Sequence, residues 1–120
     1  MADRMMLIGW GTPVRGMENR ALESFNEAME MLGRMQQDGW IESFQVCLLE
    51  PNSDMDGFLM VMGTAEQISA MRADEEFQRN TIMGSLCVDG IRHIEGYTNE
   101  GVAQQMMMYN EAVSQVPQRA

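Results

Sequence analysis

The chain has 120 residues, of which 45% are apolar and 22% are charged. This length and balance fit one folded domain and disfavour a collagen-like, coiled-coil or disordered chain. A net charge of −10 opposes binding to nucleic acid or to an acidic membrane surface, and the lack of Lys excludes a Schiff base, a pyridoxal anchor and a Walker-type phosphate loop.

The sequence lacks the long apolar segments of membrane proteins. No apolar run approaches the roughly 18 residues that a membrane span needs, and the first residues do not form a signal peptide. We therefore expect a cytoplasmic protein with one domain over residues 1–120. Its core is predicted over 5–100 and a C-terminal helix over 101–116.

The first predicted elements are a strand and a long helix. Residues 5–12 are apolar at both parities, which is typical of a strand covered on both faces. Apolar residues then recur every three to four positions over 18–38, which predicts an amphipathic helix. Glu18 complements the helix dipole at the start, and Gly39 can adopt the left-handed conformation that ends a helix.

A hairpin follows this helix. Residues 40–50 alternate between apolar and polar side chains, which is the period of a strand with two different faces. Residues 51–54 read Pro-Asn-Ser-Asp and predict a turn. Residues 57–63 are again apolar at both parities, and we expect them to pair back as the third strand.

The second half of the chain predicts two more helical regions and one strand. Thr64 and Gln67 fit a capping box at a helix start. The acidic run 74–76 interrupts the apolar spacing, so we expect either two short helices or one kinked helix. Residues 91–98 predict the fourth strand, and the four-three spacing over 101–116 predicts a final helix.

The predicted order is β-α-β-β-α-β with an extra C-terminal helix. Right-handed crossovers then give an α+β, ferredoxin-like fold with a four-stranded antiparallel sheet and both long helices on one face. The other face would expose several hundred Å² of apolar sheet, which a monomer rarely tolerates. We expect a second copy of the chain to cover it, since two-fold dimers are the commonest assembly. The C-terminal helix is the rival cover or an additional dimer contact.

This order, with Gly-Trp-Gly at 9–11, Pro-x-x-Gly at 13–16 and Glu-Glu-Phe-Gln-Arg at 75–79, resembles the dimeric α+β barrel superfamily. The superfamily includes antibiotic-biosynthesis monooxygenases, stress-responsive barrel proteins, muconolactone-isomerase-like enzymes and many uncharacterised bacterial proteins. The resemblance covers roughly residues 5–100 and is closest to the uncharacterised members. It implies a homodimer with a cavity between two sheets. No catalytic motif matches residue by residue, so no catalytic role is transferred.

Strand parity gives candidate residues for that cavity. Side chains two positions apart share a face, about 7 Å from each other. We expect the two glycines beside Trp10 to allow a close approach of a helix, while Trp10 itself faces the cavity. The candidate pocket residues are Trp10, Ser43, Gln45, Cys47, His93, Glu95 and Tyr97.

His93 is the candidate catalytic residue. In one interpretation it is a proton acceptor tuned by Glu95, with Tyr97 as a hydrogen-bonding partner and Trp10 as an apolar wall, which suits an enolisable or phenolic substrate. In the other, His93 is a half-exposed strand residue, Glu95 a solvated edge charge and Tyr97 an anchor at the dimer rim. The sequence favours this second interpretation.

The residue types leave few ways to build a metal site. There is one His, and Cys47 and Cys87 lie on separate apolar segments, where reduced thiols are the default in the cytosol. The 15 Met residues could bind Cu(I), but most occupy positions where a helix or strand needs apolar filler. Asp54-x-Asp56 lacks the later residues of a calcium loop and reads as a turn. We expect no metal and no cofactor.

Three functions remain open at this point. The favoured one is a homodimeric barrel that binds a small, mainly apolar molecule. The second is a cofactor-free monooxygenase or isomerase that uses the same cavity. The third is a non-catalytic regulatory or assembly module whose open sheet recruits another protein.

Overall fold

The computed structural model describes residues 2–119. The chain forms four strands and four helices in the order that the sequence predicts, with the second helical region divided in two. In order, the elements are β1 (Arg4–Trp10), α1 (Glu18–Gln37), β2 (Ser43–Leu48), β3 (Gly57–Gly63), α2 (Ala65–Ala73), α3 (Glu75–Cys87), β4 (Arg92–Tyr97) and α4 (Glu100–Ser114).

The strands form one sheet in the order β2-β3-β1-β4, and every neighbouring pair is antiparallel. β1 and β3 are the central strands, so their apolar side chains at both parities lie in the middle of the sheet. Helices α1, α2 and α3 pack on one face, and the opposite face, here called the open face, carries no helix of this group. The predicted ferredoxin-like α+β fold is confirmed.

The core lies between the sheet and these helices. Burying one such side chain stabilises the fold by about 1.5–3 kcal/mol, and methionine packs well into irregular spaces between helices and sheet. Three methionines are among the fully buried side chains. These side chains are Met6, Met31, Leu32, Ile41, Val61, Ile68, Met71 and Cys87.

The two ends of α1 follow the sequence signals. The helix starts at Glu18 and stops at Gln37, and Gly39 has a φ of 79°, the left-handed conformation that glycine adopts without strain. The N–H groups of Trp40 and Ile41 donate to the Met35 carbonyl. Because residues 40–41 complete the helix end, β2 begins at Ser43 rather than at residue 40.

The helical region after β3 consists of two short helices, one of the two expected arrangements. The Gln67 N–H donates to Thr64 Oγ1 at 3.1 Å and the Thr64 N–H to Gln67 Oε1 at 2.9 Å, so the predicted capping box is present. Asp74 ends α2 and begins α3, since its N–H donates to the Met71 carbonyl while its carboxylate accepts the Phe77 N–H. One acidic side chain therefore makes the break between the helices.

The C-terminal helix α4 starts and stops within two residues of its predicted bounds. It packs against β4 near its start, and Gly101 is its buried residue. Across residues 2–119, no helix is long and apolar enough to cross a membrane.

Candidate functional site

The strand register assigns each side chain of the sheet to one of two faces. Residues directly opposite each other across an antiparallel pair point to the same side. Val61 lies opposite both Met6 and Phe44, and these three pack with the helices in the core. Met62 lies opposite Met5 and Ser43, which therefore point to the open face. Alternate residues of every strand thus face two different environments.

A cavity of about 500 Å³ lies between the helix side of the sheet and helices α1 and α3. Its exposed lining residues, which include Leu22 and Leu48, mark a mouth between the start of α1 and the end of β2. The interior lining is mainly apolar. It includes Ile8, Phe25, Ala28, Leu59, Phe77, Gly84 and Ile91.

Trp10 lines this cavity, but on the helix side of the sheet. Its indole lies edge-on to the ring of Phe25 in α1, with ring centroids 5.5 Å apart. The expected position of Trp10 on the open face is therefore wrong. Because β1 is apolar at both parities, its sequence does not indicate which parity the helices cover. Gly57, directly opposite Trp10, leaves room for the indole, since a Cβ there would lie 2.7 Å from the ring.

His93 also lines the cavity from the helix side, so its expected position on the open face is wrong as well. The imidazole is half-buried, with its centroid 5.5 Å from that of Phe77. Burial lowers the pKa of His93, and the positive charge of Arg72 lowers it further. The ring is therefore neutral near pH 7. Among residues 2–119, no hydrogen bond to the His93 ring stabilises the charged imidazolium form.

Glu95 and Tyr97 share the face of His93, as their spacing predicts, but they do not line the cavity. The carboxylate of Glu95 accepts hydrogen bonds from Arg72 and, at 3.4 Å, from Arg4. The Arg4 guanidinium also lies over the Tyr97 ring, 4.5 Å from its centroid. Glu95 is therefore engaged by two arginines rather than by His93. The interpretation in which Glu95 tunes His93 is therefore wrong, and the favoured one, in which Glu95 is a charge at the sheet edge, agrees with its ion pairs to Arg4 and Arg72.

Ser43, Gln45 and Cys47 lie on the open face, as the alternation in β2 predicts. They do not line the cavity between the sheet and the helices. Around them the open face is apolar and partly exposed. Its apolar side chains are Met5, Leu7, Phe58, Met60, Met62 and Ile94.

Sequence reasoning missed the polar residues that the helices bring to the cavity. Ser24 is buried within the apolar face of α1, and the Asn80 amide donates to the Ser24 carbonyl at 3.1 Å. Thr81 and the buried thiol of Cys87 line the cavity from α3. A Ser inside the apolar spacing of α1 was the available signal. Strand parity gave no information about these helical residues.

The segment around Asp54 and the two cysteines, the other residues considered for metal binding, have structural environments of their own. The Asn52 carboxamide oxygen accepts the N–H groups of Asp54 and Met55, so this segment is a side-chain-supported turn. Asp54 pairs with Arg92 at 3.0 Å. Cys47 and Cys87 are both free thiols. Between residues 2 and 119, no group of three or more His, Cys, Asp or Glu side chains is placed to hold a metal ion.

Known structures share this fold at low sequence identity. A dimeric protein of unknown function with a ferredoxin-like fold from Bacteroides fragilis is 10% identical over 79% of this chain and 96% of its own, with a TM-score of 0.58. A dimeric ferredoxin-like protein of unknown function from Jannaschia sp. CCS1 is 14% identical over 80% and 97%, with a TM-score of 0.59.

The cofactor-independent oxygenase SnoaB from Streptomyces nogalater is 10% identical over 82% of this chain and 95% of its own, with a TM-score of 0.51. No protein-family model and no curated protein sequence matches the chain. The fold is therefore the one that the resemblance to the dimeric α+β barrel superfamily implies. About a fifth of this chain has no counterpart in these three structures.

Proposed function

We propose that the chain forms a homodimer through its open face and that each protomer binds a small, mainly apolar molecule. The cavity against α1 and α3 carries the binding proposal, because it combines an apolar lining with a neutral imidazole. Two structurally similar proteins are described as dimeric, which supports the assembly.

The charge distribution supports the open face as the contact between copies. Two chains with a net charge of −10 repel each other, so a stable contact requires surfaces with few charges. The open face carries one charged strand residue, Arg92, whose charge is paired with Asp54. Its other positions are apolar, small or neutral. Stacking two such faces removes apolar surface from water, which drives association.

The size and lining of the cavity support binding of a small molecule. Ligand sites commonly measure about 300–1,000 Å³ and combine an apolar lining with a few polar groups. A cavity of about 500 Å³ lies within that range. Its location differs from the expected cavity between two sheets, because Trp10 and His93 face the helices.

His93 is the group best placed to select the ligand. A neutral imidazole accepts a hydrogen bond from a hydroxyl group, and a half-buried polar atom gains from such a partner. Glu18 and Asp56 also line the cavity, and their negative charges disfavour an anionic ligand. We therefore infer that the ligand is uncharged, mainly apolar and carries a hydroxyl group.

A cofactor-free monooxygenase or isomerase is the second candidate. The observation that favours it is the depressed pKa of His93 inside an apolar cavity, since a neutral imidazole there can accept the proton of a phenol. The products of that step are an imidazolium ion and a phenolate. SnoaB, which shares the fold, is described as a cofactor-independent oxygenase. The third candidate, an assembly module, predicts a monomer that gains a different protein on its open face.

The binding proposal is tested with two fluorescent probes of similar shape, 1-naphthol and 1-methylnaphthalene. Both are expected to bind the unaltered protein. His93→Leu is expected to weaken naphthol binding about fivefold, because it removes one hydrogen bond worth about 1 kcal/mol. Binding of methylnaphthalene is expected to change by less than about twofold in the same variant.

A cavity-filling pair locates the probe. Ala21→Leu adds bulk to the lining and is expected to reduce the binding of both probes, whereas Asn26→Leu on the exposed side of α1 should leave it unchanged. Equal binding to the two variants would show that the probes bind elsewhere. That result would overturn the proposed site.

A further inference from the structure

Helix α4 extends away from the rest of the protein. It has 15 residues and a length of about 22 Å, and most of its side chains are exposed, with Met107 at 65% and Tyr109 at 63%. The radius of gyration is 17.2 Å, whereas a compact chain of this length has about 13.5 Å. Helix α4 packs against β4 and is otherwise largely exposed, so it contributes to this larger radius.

Helix α4 has too many apolar side chains to be stable while surrounded by water. An apolar stripe runs along it at the spacing of one helix face, and two further methionines lie outside that stripe. Glu100 and Glu111 are its charged residues. A helix that is apolar over most of its circumference is normally buried. The stripe consists of Val102, Met106, Tyr109 and Val113, whereas Met107 and Met108 lie on the other half of the helix.

A second exposed apolar surface lies at the opposite edge of the sheet. Val46 and Leu48 point to the helix side of β2, but α1 does not cover them, and they are 40% and 76% exposed. Leu22 of α1 lies near them at the cavity mouth and is 59% exposed. These three residues are here called the β2 strip. The strand β2 carries no charged side chain.

The geometry of a two-fold dimer brings these two surfaces together. The sheet order is β2-β3-β1-β4, so α4 follows one edge strand and the β2 strip lies at the other edge. When two open faces stack about an axis parallel to the strands, β4 of one copy lies over the open side of the edge strand β2 of the other. Helix α4, which follows β4, then starts beside that edge and would pass around it to reach the β2 strip on the helix side. Within one chain the two surfaces stay separated by β1 and β3. Because of the two-fold symmetry, the same contact between α4 and a β2 strip occurs twice in the dimer.

The matched shares in the comparison with known structures leave room for an element outside the shared fold. Those structures are matched over 95–97% of their own length, whereas 79–82% of this chain is matched. The unmatched length is close to that of residues 100–119.

We propose that α4 of each copy packs on the β2 strip of the other copy and closes the mouth of its cavity. This inference rests on the proposed homodimer. Leu22 and Leu48 belong both to the β2 strip and to the cavity lining, so the partner's helix would cover the entrance that they form. The second copy then completes the binding site as well as the dimer.

Cross-linking between two differently labelled chains tests the contact. One full-length chain carries Asn110→Cys, beside the apolar stripe, together with Cys47→Ser. The other chain carries Asn19→Cys, one turn of α1 before Leu22 at the cavity mouth, also together with Cys47→Ser, and Cys87 is buried in both. After the chains are mixed and allowed to exchange, a short bismaleimide is added. We expect a link between positions 110 and 19, identified by mass spectrometry after protease digestion.

The mixture makes every such link intermolecular, because neither chain contains both thiols. Gln104→Cys, on the opposite side of α4, is the matched control and is expected to give at least about tenfold less product, since its side chain points away from the β2 strip. Equal yields at the two positions would overturn the proposed contact. A dimer by light scattering without the link to position 110 would overturn this inference alone.

A monomer by light scattering would overturn the homodimer proposal and this inference together. Met106→Glu supplies a second measurement, because it places a charge in the apolar stripe. It is expected to reduce the yield of the cross-link at least about tenfold, whereas Gln104→Glu should not. A Met106→Glu protein that cross-links like the unaltered chain would also contradict the contact.

Discussion

Leu59 and Met60 are neighbours in β3 and point to opposite faces of the same sheet. Leu59 is 2% exposed and packs among the helices, whereas Met60 lies on the open face and is only partly covered. The helix side therefore owes its cover to the chain itself, whereas the proposed homodimer would cover the open side. If so, apolar residues of one strand specify folding at one position and association at the next.

The largest expected effect concerns the open face. Met60→Glu is expected to raise the dissociation constant of the dimer by roughly a hundredfold or more, because a carboxylate would be buried without a partner. Light scattering at micromolar concentration should report a folded monomer. Asn26→Glu adds the same charge on the exposed side of α1 and should remain dimeric. A dimeric Met60→Glu protein would mean that the open face is not the interface.

The next effect concerns the helix side of the sheet. Leu32→Ala is expected to lower the free energy of unfolding by about 3 kcal/mol, since this fully buried side chain would leave a void in the core. Leu86→Ala, at an exposed position of α3, is expected to cost less than about 1 kcal/mol. Denaturant unfolding measures both values. Similar losses in the two variants would contradict the assignment of the core.

A smaller effect is expected at the start of α2, which covers the helix side of β1 and β3. Thr64→Ala is expected to destabilise the protein by about 1 kcal/mol, because the Gln67 N–H would lose its acceptor. Thr64→Ser keeps the hydroxyl group and should stay close to the unaltered protein. Chemical unfolding of the three proteins checks this, and equal midpoints would show that the capping box does not contribute.

The smallest effect is a pH dependence that arises on the helix side. The pKa of His93 is lowered in the folded protein, so the unfolded chain binds its proton first. The stability contributed by neutral His93 is complete above its unfolded pKa of about 6.5 and is lost as the pH falls through and below that value.

His93→Gln should reduce the loss of stability between about pH 7.5 and about pH 5.5, and comparison with the unaltered protein cancels the effect of the carboxylates. Thermal unfolding across this range measures the difference. Parallel profiles for the two proteins would contradict the lowered pKa of His93.

The order and type of the elements could be predicted because local signals determine them. The alternation in β2 correctly placed Ser43, Gln45 and Cys47 on one face, and the capping box correctly placed the start of α2. The acidic run allowed either two helices or one kinked helix. Asp74 decided for two, since it caps both of them.

The position of the candidate site could not be predicted from strand parity. In β1 both parities are apolar, so the pattern gives no sign of which one the helices cover. In β4 the polar side chains of His93, Glu95 and Tyr97 face the helix side, where Arg72 and Arg4 pair with Glu95 and Arg4 also lies over the Tyr97 ring. These contacts join residues that are far apart in sequence, and single-strand patterns do not contain them.

The four strands, the helices, the antiparallel ferredoxin-like arrangement and the surplus of apolar sheet surface follow from the amino-acid sequence, since period, turns and caps act over a few residues. The meeting of Trp10 and His93 with α1 and α3 around a cavity, and the exposed position of α4, follow from the three-dimensional packing alone. Those features depend on which face the crossovers cover, a choice set by packing between distant segments of the chain.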